Sequence, residues 1–292
     1  MQWLLALVGV FGVSASGPLM AATAVPALAI AFWRNALATV VLAPAAAVTR
    51  RRELTEIDRG QWRVLVVASI ALAAHFAAWT LSLKLTSVAS ATALVALMAG
   101  WVVLISRLRG EHVAGAVLAG LAVAFAGVLL ISGVDSTVST EAIVGDLLAL
   151  AGGFFAAVYT IAGGHARRTL STTTYTAICY GLCAAILLVV CIVGRQQLSG
   201  YPASSWAGLL AVTVSAQLLG HSVFNYLLAT MSPTLVALII LLEVPGAALL
   251  AAAFIDQSPP AGVYAGLTLI VAGLAVVVAS RRPRQPTVGI PD

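Results

Sequence analysis

Ten apolar runs of spanning length, separated by short polar or charged connections, constrain this sequence more than any other feature. They fall near 3–21, 27–48, 63–83, 87–106, 113–132, 145–163, 172–194, 205–228, 232–254 and 260–280. A bilayer core about 30 Å thick needs about 20 apolar residues per helix, so the runs predict an all-α integral membrane protein with ten transmembrane helices. Composition agrees: 61% of residues are hydrophobic and 9% charged, with a mean hydropathy of +1.06, against about 25% charged in soluble domains. Ten spans take up about 200 residues, which leaves no room for a separate soluble domain. The first run has no basic segment before it and continues past signal-peptide length to Trp33, so it is expected to be retained.

The charges report orientation. With ten alternating spans, Arg50, Arg51, Arg52, Arg59, Arg63, Arg107, Arg109, Arg167, Arg168, Arg281, Arg282 and Arg284 fall on one side, and only Lys84 and Arg195 on the other. The positive-inside rule then places both termini in the cytoplasm. An odd or miscounted number of spans would scatter the arginines over both faces. The net charge of +5 therefore reflects segment ends and does not imply a nucleic-acid partner. Cys179, Cys183 and Cys191 lie in one apolar run and read as packing residues, not as a disulfide or metal set.

The chain also repeats. Residues 4–11 match 147–154 with six identities in eight; Ala119-Gly120-Leu121 recurs as Ala265-Gly266-Leu267, Ala126-Gly127 as Ala272-Gly273, and His75 as His221, at an offset of 146. Five spans per half is an odd number, so the second copy must be inverted relative to the first. This is the architecture of many secondary transporters, whose site lies near the midplane between the halves. The expected units are residues 1–134 and 143–282, followed by a disordered cytoplasmic tail over 283–292.

Several stretches carry a family resemblance. Gly220-His221-Ser222-Val223-Phe224-Asn225-Tyr226-Leu227-Leu228, then Ser232-Pro233-Thr234 and Leu241-Leu242-Glu243-Val244-Pro245, are similar to one repeat; Phe32-Trp33-Arg34-Asn35-Ala36-Leu37-Ala38, Leu85-Thr86-Ser87-Val88-Ala89-Ser90-Ala91 and Glu111 are similar to the other. Together they resemble the EamA-type members of the drug/metabolite transporter superfamily, built from two five-helix repeats. The chain departs from that pattern where Val244 separates Glu243 from Pro245, where Met98-Ala99-Gly100 lacks a proline, and where Asp256 replaces a glutamate. The resemblance implies a bacterial inner-membrane carrier, commonly an exporter of amino acids or related metabolites, with no cofactor and no ATP. No phosphate-binding G-x-x-x-x-G-K-[ST] is present.

Polar residues inside the spans are the candidate site. Glu243 lies about eleven residues into the ninth run, near the bilayer centre. An ionised carboxylate there costs about 2.5–3.5 kcal/mol and should face protein or a water-filled cavity. It is a proton-coupling candidate, the alternative being a structural hydrogen bond to the Leu241 carbonyl freed by Pro245. Arg34 is the one arginine inside a span; it either snorkels or pairs with Glu243 or a substrate carboxylate. His75 and His221 occupy equivalent positions in the two copies, and Trp79 and Asn225 follow one helical turn later on the same faces. These four make a substrate-binding set, with interhelical hydrogen bonding as the alternative.

Trp101 and Tyr159 sit on the fourth and sixth spans, which line the central cavity in the family the chain resembles, and join the substrate-binding candidates on that basis. Pro18, Gly100, Pro233 and Pro245 are the expected helix breaks for gating. Gly262 and Gly266 form a G-x-x-x-G, with Gly120 and Gly127 in the other half; intramolecular packing is expected ahead of a homodimer.

The reading is a secondary transporter of a small metabolite, an exporter working by alternating access between lipid-embedded halves, with protons as coupling partner. A passive facilitator, a drug efflux carrier and a non-transporting scaffold are the alternatives. No G-x-S-x-G or H-E-x-x-H occurs in the spans, so no enzyme is expected, and two histidines with one glutamate do not make a metal site.

Overall fold

The computed structural model describes residues 1–134, 139–256 and 260–279. The tail expected over 283–292 lies outside the described residues, as do Arg281, Arg282 and Arg284. Among the described residues nine helices are long and apolar enough to cross a membrane and a tenth, α5, is apolar but shorter over its apolar part: α1 (Gln2–Ala22), α2 (Ala27–Thr49), α3 (Arg59–Ser82), α4 (Val88–Leu108), α5 (Gly115–Val134), α6 (Thr140–Ala166), α7 (Thr172–Val193), α8 (Ala203–Leu227), α9 (Pro233–Phe254) and α10 (Ala261–Ala279). Each matches a run read from sequence to within a few residues. In lipid every backbone polar group must be satisfied within the segment, so apolar runs of this length become helices and their ends depend on capping. Ser87, Ser139, Ser171 and Ser232 cap α4, α6, α7 and α9 through their side-chain oxygens. A reciprocal box starts α3: Asp58 accepts from the Gln61 N–H at 2.8 Å, and the Gln61 side chain accepts from the Asp58 N–H at 3.0 Å.

Much of the packing obeys the exchange of the two halves. α3 lies on α6 and α8 on α1; α4 lies on α6 and α9 on α1; α3 lies on α7 and α8 on α2; α5 pairs with α10, α2 with α7, and α4 with α9. Swapping each helix for the one five places on reproduces this set. The α5–α10 seam shows the symmetry at residue level. A Cβ on Gly266 would stand 2.6 Å from the Gly127 carbonyl, and Gly120 meets Gly273 in the same way. Because Gly266 repeats Gly120 and Gly273 repeats Gly127, the two contacts are one contact seen twice. The glycine stripe is thus spent inside the chain, in line with the intramolecular expectation.

Three helices are interrupted, none of them at the residue expected from sequence. α1 breaks at Ala15, α4 at Ala96–Leu97 and α9 at Leu241–Leu242. Pro18 and Pro245 lie in the first turn of the segment that follows each break, because a proline removes the hydrogen bond to the carbonyl four residues upstream. The Leu241 carbonyl so released accepts instead from the Val244 N–H at 3.2 Å. Pro233 is the first residue of α9 and starts a helix without breaking one. Gly100 lies within the continuous segment Met98–Leu108, where a Cβ would run into the Phe125 ring. The breaks in α4 and α9 sit at equivalent places in the two halves. A fourth irregularity, a π-helical stretch over Thr213–His221, has no signature that the sequence reading found.

The arginine-rich connections share one face. Glu53, on a short helix (Arg51–Thr55) between α2 and α3, accepts the Ser171 N–H at 2.5 Å, and the Gln61 side chain donates to Thr169 Oγ1 at 3.0 Å. Arg63, Arg109 and His165 line a single crevice on that face. At the opposite face Lys84 Nζ donates to the carbonyls of Met20 and Thr23 at 3.3 and 3.4 Å, and Trp33 Nε1 donates to the Leu198 carbonyl at 3.0 Å.

Candidate functional site

The site forms where the interrupted helices meet. His75 and Trp79 come from α3, His221 and Asn225 from α8, Tyr159 from α6 and Glu243 from α9, and all six line one cavity between the halves. The two histidine rings face each other with centroids 6.2 Å apart. His75 stacks on Trp79 at 5.7 Å, one helical turn away, and Tyr159 lies 6.3 Å from His221. The equivalence of His75 and His221 in the repeat therefore becomes a physical juxtaposition.

Hydrogen bonds fix the orientations. His75 Nδ1 lies 3.0 Å from the Gly152 carbonyl. A carbonyl only accepts, so Nδ1 carries the hydrogen and the neutral ring keeps Nε2 as an acceptor. Asn225 is held by two tyrosines: the Tyr159 hydroxyl donates to Oδ1 at 2.9 Å, while Nδ2 donates to the Tyr159 and Tyr180 hydroxyls at 2.6 and 3.1 Å. Arg167 ties the end of α6 to the same turn of α8, its Nε donating to the Asn225 carbonyl at 2.9 Å.

Glu243 opens the second segment of α9, its carboxyl at a helix N-terminus where the unpaired N–H groups favour negative charge. Among the described residues its carboxyl makes no hydrogen bond and no ion pair. The structural alternative, a bond to the carbonyl released by Pro245, is not made among the described residues; that carbonyl accepts the Val244 N–H.

Arg34 neither snorkels nor pairs with Glu243, two of the roles the sequence leaves open to it. It is wholly buried, and among the described residues no ion pair joins it to Glu243. Its Nε donates to Gln217 Oε1 at 2.8 Å, Nη1 donates to Ser16 Oγ at 3.2 Å, and its guanidinium lies 4.1 Å from the centroid of the Phe76 ring. Nη2 has no partner. Phe76 also meets His221 edge-on at 5.2 Å, so a ring stands between the cation and the imidazole. The neutral amide wins because Gln217, in the π-helical stretch of α8, faces α2.

Trp101 departs from its expected place. It is half-exposed and packs edge-on against Phe154, with centroids 5.4 Å apart, outside the cavity. The break at Ala96–Leu97 resets the helical phase of α4, so that Val95, Ala96 and Met98 line the cavity instead. Phe76, Gln217, Phe224 and Tyr180 were not singled out from sequence. Gln217 had a usable signal: an amide within an apolar run, one turn before His221.

The cavity is small, about 40 Å³, enough for a few waters and too little for a metabolite. Its walls are mostly apolar, with Val13, Phe224 and Ile240 among them. The halves are closed around it.

Comparison with known proteins decides the family. The profile of the EamA-like transporter family matches residues 2–133 and again 143–279. The chain belongs to the EamA-like transporter family. It is 27% identical over 256 residues to a protein of Archaeoglobus fulgidus described as an uncharacterized transporter, an alignment covering 86% of this chain and 88% of that one. A solved crystal structure superposes with a TM-score of 0.75 at 20% identity, covering 94% of this chain and 96% of the other, which is a likeness of fold. The protein is thus a multi-pass membrane transporter and not an enzyme.

Proposed function

We propose that this EamA-like transporter is a secondary carrier that exports a small amine-bearing metabolite, an amino acid or a related compound, by alternating access and in exchange for protons. The observation that carries the reading is the closed cavity between the halves, whose one acidic group among the described lining residues is Glu243 and whose walls are the rings of Trp79, Tyr159, Phe224 and the two histidines. Aromatic faces and a carboxylate suit an ammonium group. The same carboxylate can hold a proton when the amine has left, so that amine and proton exclude one another. Among the described lining residues there is no lysine or arginine, and Arg34 is engaged behind Phe76.

Alternating access requires the cavity to widen toward one face at a time. The interruptions in α1, α4 and α9 and the π-helical stretch of α8 supply the places where segments can reorient without breaking a continuous helix. The arginine-rich face lies in the cytoplasm of the host cell and the carrier in its cytoplasmic membrane.

The test is counterflow and gradient-driven uptake in proteoliposomes with labelled amino acids, amines and nucleosides. Wild type should accumulate an amine-bearing substrate against its gradient when a pH gradient is imposed, and H221A should lose uptake. E243Q should lose pH-gradient-driven accumulation and weaken exchange as well, because the carboxylate that holds the proton also holds the amine. Uptake that never exceeds equilibrium would show a passive facilitator. Full exchange in folded E243Q would assign the carboxyl to the proton alone and leave the amine to the aromatic rings.

A further inference from the structure

A second, larger hollow lies away from the central cavity, on the arginine-rich face, where α3, α4 and α6 diverge. Its volume is about 430 Å³, and Arg63, Arg109 and His165 line it together with apolar side chains from the same helices. Arg63 stands in the first turns of α3, Arg109 directly follows α4, and His165 lies in the last turn of α6. Three helix ends thus bring basic groups to one rim of the crevice. Among the described residues neither Arg63 nor Arg109 has an ion-pair partner, the single close pair being Arg52 with Glu56 on the neighbouring surface helix. Below the basic groups the wall becomes hydrocarbon, with Val64, Val67 and Ile105 from two helices and Ile161 from the third. Val66, Val67 and Ile70 of α3 and Leu104 of α4 continue the exposed apolar surface toward the middle of the span.

We infer that this crevice is a binding site for one anionic phospholipid, its phosphate between Arg63, Arg109 and His165 and an acyl chain along the α3–α4 groove. The charge pattern selects the occupant. A basic rim over an apolar wall complements a molecule with an anionic head and a hydrocarbon tail, and basic pockets between transmembrane helices on this side are suited to such heads. A soluble phosphate would use the rim and leave the wall bare. The three helices that form the crevice also carry His75, Trp79, Met98 and Tyr159 to the central cavity, so a lipid wedged between their ends favours whichever arrangement of α3, α4 and α6 keeps the crevice open.

The experiment uses the full-length protein in mixed micelles of phosphatidylcholine with added phosphatidylglycerol, with protein-bound lipid read by native mass spectrometry. One retained phosphatidylglycerol per chain is expected. R63Q/R109Q should retain it about thirtyfold more weakly, since each arginine near a lipid headgroup contributes about fivefold. R63K/R109K should keep most of it, and R50Q/R51Q, on the same face but outside the crevice, should be unchanged. I105W, which fills the hydrocarbon groove and spares the charges, should also lose the lipid. Equal loss in R50Q/R51Q would reduce the effect to general surface attraction and overturn the site. Retention in R63Q/R109Q or in I105W would overturn it as well. Displacement by soluble glycerol phosphate as efficient as by phosphatidylglycerol would make the site one for phosphate, not lipid.

Discussion

Arg34 and Gln217 permit a quantitative prediction, because a wholly buried guanidinium depends on a neutral amide from another helix. In Q217L the side chain keeps nearly the same volume, so little cavity is created, but two hydrogen bonds disappear. The 2.8 Å bond from Arg34 Nε is charge-assisted, of a kind that contributes about 1.5–3 kcal/mol. The 3.2 Å bond from Gln217 Nε2 to Asn35 Oδ1 is neutral and interhelical, where the membrane average is about 0.6 kcal/mol. Q217L should therefore lose about 2–3.5 kcal/mol, and the loss should be larger than these bonds alone suggest if the cation cannot relax, since Nη2 is already unpartnered. The assay is equilibrium unfolding in mixed micelles, run as a double-mutant cycle with R34M. Removing the cation removes the need for its partner, so R34M/Q217L should be less destabilised than the sum of the single changes by about 2 kcal/mol, and Q217E should stay close to wild type. Additivity within about 0.5 kcal/mol would refute the reasoning and mean that Arg34 is satisfied some other way.

Three further outcomes follow from the same geometry. N225L strips the Tyr159 and Tyr180 hydroxyls of their shared partner and should cost about 1–3 kcal/mol in thermal unfolding, along with substrate uptake; unchanged stability would remove the amide from the network. W79L should weaken apparent substrate affinity about tenfold, the order of one lost ring contact, whereas W101L, which touches Phe154 and not the cavity, should leave uptake within about twofold; the reverse order would relocate the site. G266V must push α10 off α5, because the Gly127 carbonyl stands where the added carbon would go, and should destabilise by at least about 1–3 kcal/mol, measured against T268V on the same helix, whose hydroxyl bonds only within α10.

Much of the architecture was legible because lipid leaves a chain few choices. A run of apolar residues long enough to cross must be a helix, so span positions, their number and the shared face of the arginines follow from the one-dimensional pattern of hydropathy and charge. The repeat was legible too, since equivalent packing positions keep the same small residues, as Gly120 and Gly266 do. It also placed His75 opposite His221, with Trp79 and Asn225 a turn away. What the sequence could not decide is where each helix bends and which way a buried side chain turns. A proline disrupts the bond one turn upstream, so Pro18 and Pro245 marked the breaks only approximately, and α4 bends at Ala96–Leu97 with no proline at all. That bend carried Trp101 out to lipid. Arg34 and Glu243 carry opposite charges inside the spans, and their pairing is one of the expectations the sequence allows, beside snorkelling and a substrate carboxylate. The structure instead gives Arg34 an amide, a hydroxyl and a ring, and leaves Glu243 facing the cavity. Partner choice depends on distances between helices far apart in the chain, here set by the π-helical stretch that carries Gln217, and only tertiary packing decides those.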